Sequence, residues 1–251
     1  MNIWRLTQAN DYFPVEIWGR NSDIDSGSAP ETLWEQGGLY VWQTAAEALE
    51  LVSSSANDTS AGTGARTVLV QGLNASYVPI EETVSMNGTS PVALVNTYLR
   101  INQIRILTVG SIGWNAGTIT LRVPGPGAVR STISFIGGTG MSVGQTGRYT
   151  VPAGAILICN FLLVGVESNG TNESVVLGVF SRLNTVANSP WTVVNTFGGN
   201  AGGTTLFNLD TTSRYLKFTE KQDVEFKALQ AVGDNIAAQI RMSGLLLVVQ
   251  P

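Results

Sequence analysis

The sequence predicts an all-β protein: an antiparallel β-sandwich, jelly-roll-like, with an extended N-terminal arm. Short apolar runs rich in β-branched residues alternate with Gly, Pro and Asn turn signals along nearly the whole chain, which has 28 Gly among 251 residues. No segment keeps a helical period for more than two turns. About twelve short strands with glycine-rich connections are typical of a sandwich or a barrel.

The arm is predicted over residues 1–38. It places Trp4, Trp18 and Trp34 among polar and turn-forming residues. Spaced tryptophans without a clear period cannot bury one another, so we expect their rings to insert into a neighbouring surface. We take these three residues and Trp42 as candidate assembly contacts. The alternative is that the rings cap the arm's own domain.

The first predicted strands after the arm are residues 40–53 and 66–72, and the loop between them consists of turn-forming residues. Residues 82–86 end at Asn87-Gly88, a dipeptide suited to a hairpin or tight turn because both residues accept positive φ. Residues 98–109 are apolar on both faces, which fits a central strand or a face that another subunit covers.

The remaining predicted strands are residues 117–123, 131–136, 149–152, 155–166, 175–180, 191–196, 223–229 and 237–249. Cys159 is the single cysteine, and its apolar neighbours predict a buried strand position. No fixed period recurs, which disfavours a solenoid or a propeller. We therefore expect one sandwich domain over residues 39–251, with a candidate sub-boundary in the glycine-rich segment 195–205.

Charged residues are sparse, at 13% of the chain against roughly 25% in typical soluble domains. Much of the surface must then be neutral Ser, Thr, Asn and Gln, which suits large contacts with other proteins because burying them costs less than burying unpaired charge. The net charge is −4 and the cations are scattered, so we expect no nucleic-acid binding. Without a secretory signal or an apolar run of membrane length, we expect synthesis in the cytoplasm and no membrane contact.

The chain contains no histidine, which removes Ser-His-Asp and Cys-His catalysis and the common zinc sites. We therefore predict no enzyme activity, no catalytic residue, no metal and no cofactor. One alternative is a glycosidase-type carboxylate pair, for which no spacing selects a pair among Glu81, Glu82, Glu167, Glu173, Asp210, Glu220, Asp223 and Glu225. A second alternative is stacking of an aromatic ring on a sugar, with Tyr77, Trp114 and Trp191 as candidates because they lie in or beside polar turns.

Residues 53–73, continuing through 82–92 and 98–102, resemble virion structural proteins of tailed bacteriophages, particularly of the marine and cyanobacterial type. Residues 149–154, Tyr-Thr-Val-Pro-Ala-Gly, are similar to a recurrent segment of the same proteins. The resemblance implies a virion component that is present in several copies and made in the host cytoplasm. The resemblance assigns no catalytic residues to this chain.

From the resemblance and the composition together we predict a capsid decoration (cement) protein. The alternatives are a neck, tail or baseplate component, or a carbohydrate-binding receptor adhesin. The expected partners are further copies of the chain, in a homo-oligomer for which virion jelly rolls in general suggest a trimer, and the major capsid protein or other virion proteins.

Overall fold

The structure is a computed structural model and describes residues 12–167, 173–200, 203–208 and 216–248. Within these ranges the chain forms nineteen β-strands and no helix. All paired strands run antiparallel. The prediction of an all-β antiparallel protein is confirmed. No helix of a length and hydropathy that would cross a membrane occurs in the described ranges.

In chain order the strands are β1 (Tyr12–Ile24), β2 (Glu31–Thr32), β3 (Glu47–Ser53), β4 (Ala65–Leu73), β5 (Pro79–Ser85), β6 (Val92–Tyr98), β7 (Arg100–Val109), β8 (Ile119–Arg122), β9 (Val129–Ile133), β10 (Phe135–Ile136), β11 (Thr139–Gly140), β12 (Arg148–Thr150), β13 (Ala155–Glu167), β14 (Ser174–Leu183), β15 (Thr192–Asn200), β16 (Gly203–Asn208), β17 (Leu216–Phe218), β18 (Gln222–Val232) and β19 (Ile236–Val248).

The chain divides into two compact units. Unit 1 combines Met1–Val41 with Thr146–Pro251, and unit 2 is Trp42–Gln145. This division differs from the predicted arm and single domain over residues 39–251. The reason is non-local pairing, since β2 and β12 both pair with β18. The chain leaves unit 1 after β2 and returns at β12, which lies beside β18 as β2 does. Neither of the two connections between the units, at residues 41–42 and 145–146, has the composition of a linker.

Unit 1 contains two sheets around one core. Sheet A has the strand order β1-β19-β13-β16, and β17 also pairs with β13. Sheet B has the order β12-β18-β14-β15, and β2 also pairs with β18. Both sheets contribute alternate apolar side chains to the core, which includes Leu157, Leu162, Val164, Leu177, Val179, Val224, Phe226, Ile240, Met242 and Leu246.

Residues 12–24 lie within the predicted arm, but they form strand β1 in sheet A. Their pattern has a period of two: Ile17 is in the core, and Phe13 and Val15 pack against it. Pro14 is tolerated because β1 is an edge strand, where a missing backbone donor costs little. A part of the predicted arm is therefore a paired strand of sheet A.

Unit 2 contains a three-stranded sheet, β5-β4-β7, a four-stranded sheet, β6-β3-β8-β9, and the short hairpin β10-β11. Strands β5 and β6 are consecutive in the chain but belong to different sheets. The Asn87-Gly88 dipeptide between them forms a tight turn, in which Gly88 has a φ of +61° and Ser90 N–H donates to the Asn87 carbonyl at 3.1 Å. It links two sheets and does not close a hairpin.

Candidate assembly surfaces

The outer face of sheet A, turned away from the core of unit 1, carries a band of large apolar side chains. Leu245 is 42% exposed, and the other five members are half-buried. Backbone register places Ile156 opposite Leu247 and Ile158 opposite Leu245. Phe161 and Leu163 continue the band along β13, opposite a serine and an arginine of β19. None of the members belongs to the core clusters. The members of this apolar band are Ile156, Ile158, Phe161, Leu163, Leu245 and Leu247.

A β-bulge in β13 decides which of its residues join the apolar band. The register with β19 shifts between Cys159 and Phe161, so Asn160 is the extra residue. Cys159 and Leu162 both face the core as a result. A strict period of two from Cys159 would instead have placed Phe161 and Leu163 in the core.

Polar and charged side chains border the apolar band. Arg241 Nη2 lies 2.8 Å and 2.7 Å from the two carboxylate oxygens of Glu16, and both side chains are exposed. Trp18 is aligned with Arg241, and its indole Nε1 donates to Gln239 Oε1 at 3.3 Å. Lys217 of β17 is aligned with Ile158 in the same row, on the side of β13 away from β19. The apolar band itself carries no charge.

Of the four tryptophans predicted as assembly contacts, Trp18 is therefore on an outer face of unit 1, where it is half-buried. Trp4 lies outside the described residues. Trp42 is half-buried in unit 2, where the guanidinium carbon of Arg100 lies 5.1 Å from its ring centroid. Its ring is therefore engaged within its own unit, and its role as an assembly contact stays a prediction.

Trp34 packs inside unit 1. It is only 8% exposed, and its ring meets the Tyr40 ring edge to face with 5.3 Å between centroids. The guanidinium carbon of the buried Arg148 lies 4.9 Å from the Trp34 centroid and 3.3 Å from the Tyr40 centroid. This arrangement matches the alternative interpretation, in which an arm tryptophan caps its own domain.

Trp191, a candidate for sugar stacking, contacts two cations on the outer face of sheet B. Arg182 Cζ lies 4.7 Å and Lys227 Nζ 4.6 Å from the ring centroid. Beneath them the buried carboxylates of Asp223 and Glu225 pair with Arg182 at 3.0 Å and Lys227 at 3.3 Å. The two carboxylates, both considered for a catalytic pair, are therefore each paired with a cation.

An open cleft of about 360 Å³ lies beside Arg182 at the end of sheet B. Hydroxyl and amide side chains predominate in its lining, which consists of Ser181, Arg182, Leu183, Ser189, Pro190, Thr192, Thr219 and Gln222. Gln222 Nε2 donates to Ser181 Oγ at 2.9 Å. Neutral polar groups of this kind suit the hydroxyls of a sugar.

The other two candidates for sugar stacking are in unit 2. The ring centroid of Tyr77 lies 5.8 Å from the guanidinium carbon of Arg100. Trp114 lies in the loop between β7 and β8 and is 38% exposed. Their role in sugar binding stays a prediction.

Cys159 is buried in β13, as predicted. Burial raises the pKa of its thiol to about 12. In the described part of the chain, no group of three or more Cys, Asp and Glu side chains is arranged to hold a metal ion.

No protein-family model matches the chain, and no curated protein is similar to it. Solved structures of virus particles are similar to it at low scores. T=1 particles derived from infectious bursal virus align with 13% identity over 96% of this chain and 70% of that chain, with a TM-score of 0.28. The T13 particle of infectious bursal disease virus aligns with 12% identity over 96% and 68%, with a TM-score of 0.25. The VP2 subviral particle of that virus aligns with 7% identity over 96% and 71%, with a TM-score of 0.25.

TM-scores in this range do not establish a common fold, so these neighbours carry no argument about the present chain. The bacteriophage resemblance has no counterpart among the three structures.

Proposed function

We propose that this chain is a structural subunit of a virus particle and associates with further copies of itself. The observation that carries the proposal is the connectivity of unit 1. Strands β2 and β12 count as one interrupted strand because both pair with β18, and β16 and β17 count as one because both pair with β13. Unit 1 then has eight strands, which run 1-8-3-6 in sheet A and 2-7-4-5 in sheet B.

This strand order supports a jelly roll, the arrangement of eight strands in two Greek keys that occurs in viral capsid domains and lectins. A fold does not by itself define a function. The surface of the chain adds independent support, because its low charge and the uncharged apolar band on sheet A suit contact with other proteins. The proposal assigns the chain no catalytic activity.

The more specific role that we propose is a capsid decoration protein in the virion. It follows from the resemblance to virion structural proteins of tailed bacteriophages over residues 53–73, 82–92 and 98–102. A neck, tail or baseplate position is the alternative within the particle.

The experiment is to count this chain in purified particles by quantitative mass spectrometry, with the major capsid protein as the internal reference. A copy number of the same order as that of the major capsid protein supports a decoration protein. A small fixed number of copies moves the chain to the neck, tail or baseplate. Absence from purified particles overturns the proposal.

The cleft beside Arg182 favours a second candidate function, a carbohydrate-binding adhesin on the particle. Trp191 lies next to this cleft in the chain, between Pro190 and Thr192 of its lining. If the chain is such an adhesin and binds glycan at this cleft, Trp191→Ala abolishes glycan binding by the full chain. Trp114→Ala, which changes a tryptophan in unit 2, is the comparison variant. Glycan binding that survives both substitutions excludes these aromatics as the site.

A further inference from the structure

We infer that two copies of this chain associate through the outer face of sheet A, with the apolar band at the centre of the contact. This inference rests on the self-association in the proposed function and assigns it to one surface. Large apolar side chains lie on a sheet face that is turned away from the core. The free energy falls when a partner removes such side chains from water.

The face has the area of a small interface. Register defines five rows across β1, β19 and β13, from the row of Leu247 and Ile156 to the row of Gln239 and Gly165. Strands spaced about 4.8 Å apart, with alternate residues about 6.7 Å apart, give a face of roughly 14 by 33 Å, or about 460 Å² in projection. This area is below the roughly 800 Å² per partner of standard interfaces and fits a contact of the smaller, weaker class.

The small number of charges around the apolar band favours a second copy of the chain as the binding partner. The apolar band is uncharged, and Glu16 and Arg241 beside it neutralise each other. Lys217, in the row of Ile158, is the remaining charge that register places beside the apolar band. A face with so little charge offers a partner of opposite sign few contacts, but its centre matches another uncharged apolar band. A second copy supplies that surface, and a two-fold contact uses the same patch twice. Because Glu16 and Arg241 are both exposed, each can also pair with its counterpart across the two-fold axis.

Trp18 adds an aromatic ring to the same face. It lies in one row with Arg241 and Leu163, and its indole N–H is already bonded to Gln239. A half-buried tryptophan with a satisfied polar group can place its ring against a partner without leaving a buried donor unpaired. Tryptophan and arginine are also the residues most enriched at the energetic centres of interfaces.

The test compares two substitutions of matched chemistry and exposure in the full chain. Leu245→Glu places a charge in the apolar band, at a residue that is 42% exposed. Leu107→Glu places the same charge in unit 2, at a residue that is 45% exposed. Sedimentation equilibrium and light scattering give the mass as a function of concentration, and circular dichroism verifies that each variant is folded.

We expect the wild-type chain to form dimers or larger oligomers. Leu245→Glu should weaken association by roughly tenfold or more, since it buries an unpaired charge, and Leu107→Glu should leave it unchanged. Leu245→Ser, which removes apolar surface without adding a charge, should act in the same direction as Leu245→Glu. A monomeric wild-type chain, or association that Leu245→Glu leaves intact, overturns the inference.

The particle experiment separates this inference from the proposed function. If the chain is a particle component but Leu245→Glu associates like the wild type, the function stands and the surface is wrong. If Leu245→Glu dissociates the oligomer but the chain is absent from particles, the surface stands and the function is wrong.

Discussion

Oδ1 of Asp58 accepts a hydrogen bond of 2.8 Å from the backbone N–H of Ala116, which lies 58 residues further along the chain. The same carboxylate accepts bonds from the N–H groups of Ala65 at 2.7 Å and Gly117 at 3.0 Å, and from Ser53 Oγ at 2.6 Å. Asp58 has no solvent exposure. One buried side chain therefore takes the place of water for three backbone donors of unit 2, one at the start of β4 and two in the loop between β7 and β8.

Asp58→Ala should lower the free energy of unfolding by about 3–5 kcal/mol, because it leaves buried backbone donors without acceptors. Asp58→Asn keeps one carbonyl oxygen and should cost less. Urea unfolding of the full chain measures both losses. The control is Asp234→Ala, at an exposed residue that accepts bonds from Ser26, and it should change stability by less than about 1 kcal/mol. Equal losses for Asp58→Ala and this control would contradict the role of Asp58.

Gly244 lies opposite the bulge of β13, in register with Cys159. A Cβ at Gly244 would lie 2.3 Å from the carbonyl oxygen of Ile158 and 2.9 Å from Cys159 Sγ. Gly244→Ala should therefore destabilise unit 1 by about 1–3 kcal/mol, the usual cost of overpacking. The melting temperature of the full chain reports the loss. Gly198→Ala is the matched control, since it is also in a strand but has nothing within 4 Å of its Cβ position.

Trp34 and Trp18 should behave differently when each is changed to alanine. Trp34→Ala removes a buried ring that packs on Tyr40 and Arg148, so it should lower the free energy of unfolding by about 3–5 kcal/mol. Trp18→Ala removes a half-buried ring and should mainly weaken association. Chemical unfolding and sedimentation of both variants separate the two effects. A Trp34→Ala variant with unchanged stability and lost association would support the prediction that Trp34 is an assembly contact.

Cys159 should make stability depend on pH in alkaline solution. Burial raises the pKa of its thiol from an ordinary value of 9.0 to about 12. Between these two values the unfolded chain loses the thiol proton while the folded chain keeps it, so stability falls as pH rises through this window and is unaffected below it. Urea unfolding at several pH values in this window measures the free energy of unfolding, which should fall less steeply for Cys159→Ala than for the wild-type chain. Tyr98 and Tyr149 contribute a remaining fall in both proteins, because burial raises the pKa of each phenol.

The same burial should make the Cys159 thiol unreactive in the folded chain, because the thiolate is the reactive form. An aromatic disulfide reagent near neutral pH should label it only after urea is added. Rapid labelling of the folded chain would show that the strand around Cys159 opens or that the thiol is accessible.

Local pattern was sufficient for the class of fold. Alternating apolar residues and Gly, Pro and Asn turn signals predicted strands in most of the places where the structure has them, since side-chain period and turn geometry are properties of neighbouring residues. The burial of Cys159 followed from its apolar neighbours in the same way. Local pattern does not decide where the candidate assembly contacts lie, because a tryptophan in a polar stretch can be on an outer face, as Trp18 is, or inside a unit, as Trp34 is.

By itself, the sequence determined that this protein is all-β, that it is sparsely charged and that it has no histidine for catalysis or zinc binding. Only the tertiary structure decided that unit 2 interrupts unit 1, because this depends on β2 and β12 meeting the same distant strand. It also decided the orientation of Phe161 and Leu163, because the bulge at Asn160 is defined only by pairing with β19. Strand pairing joins residues far apart in the chain, and a one-residue shift in register turns every following side chain to the other face.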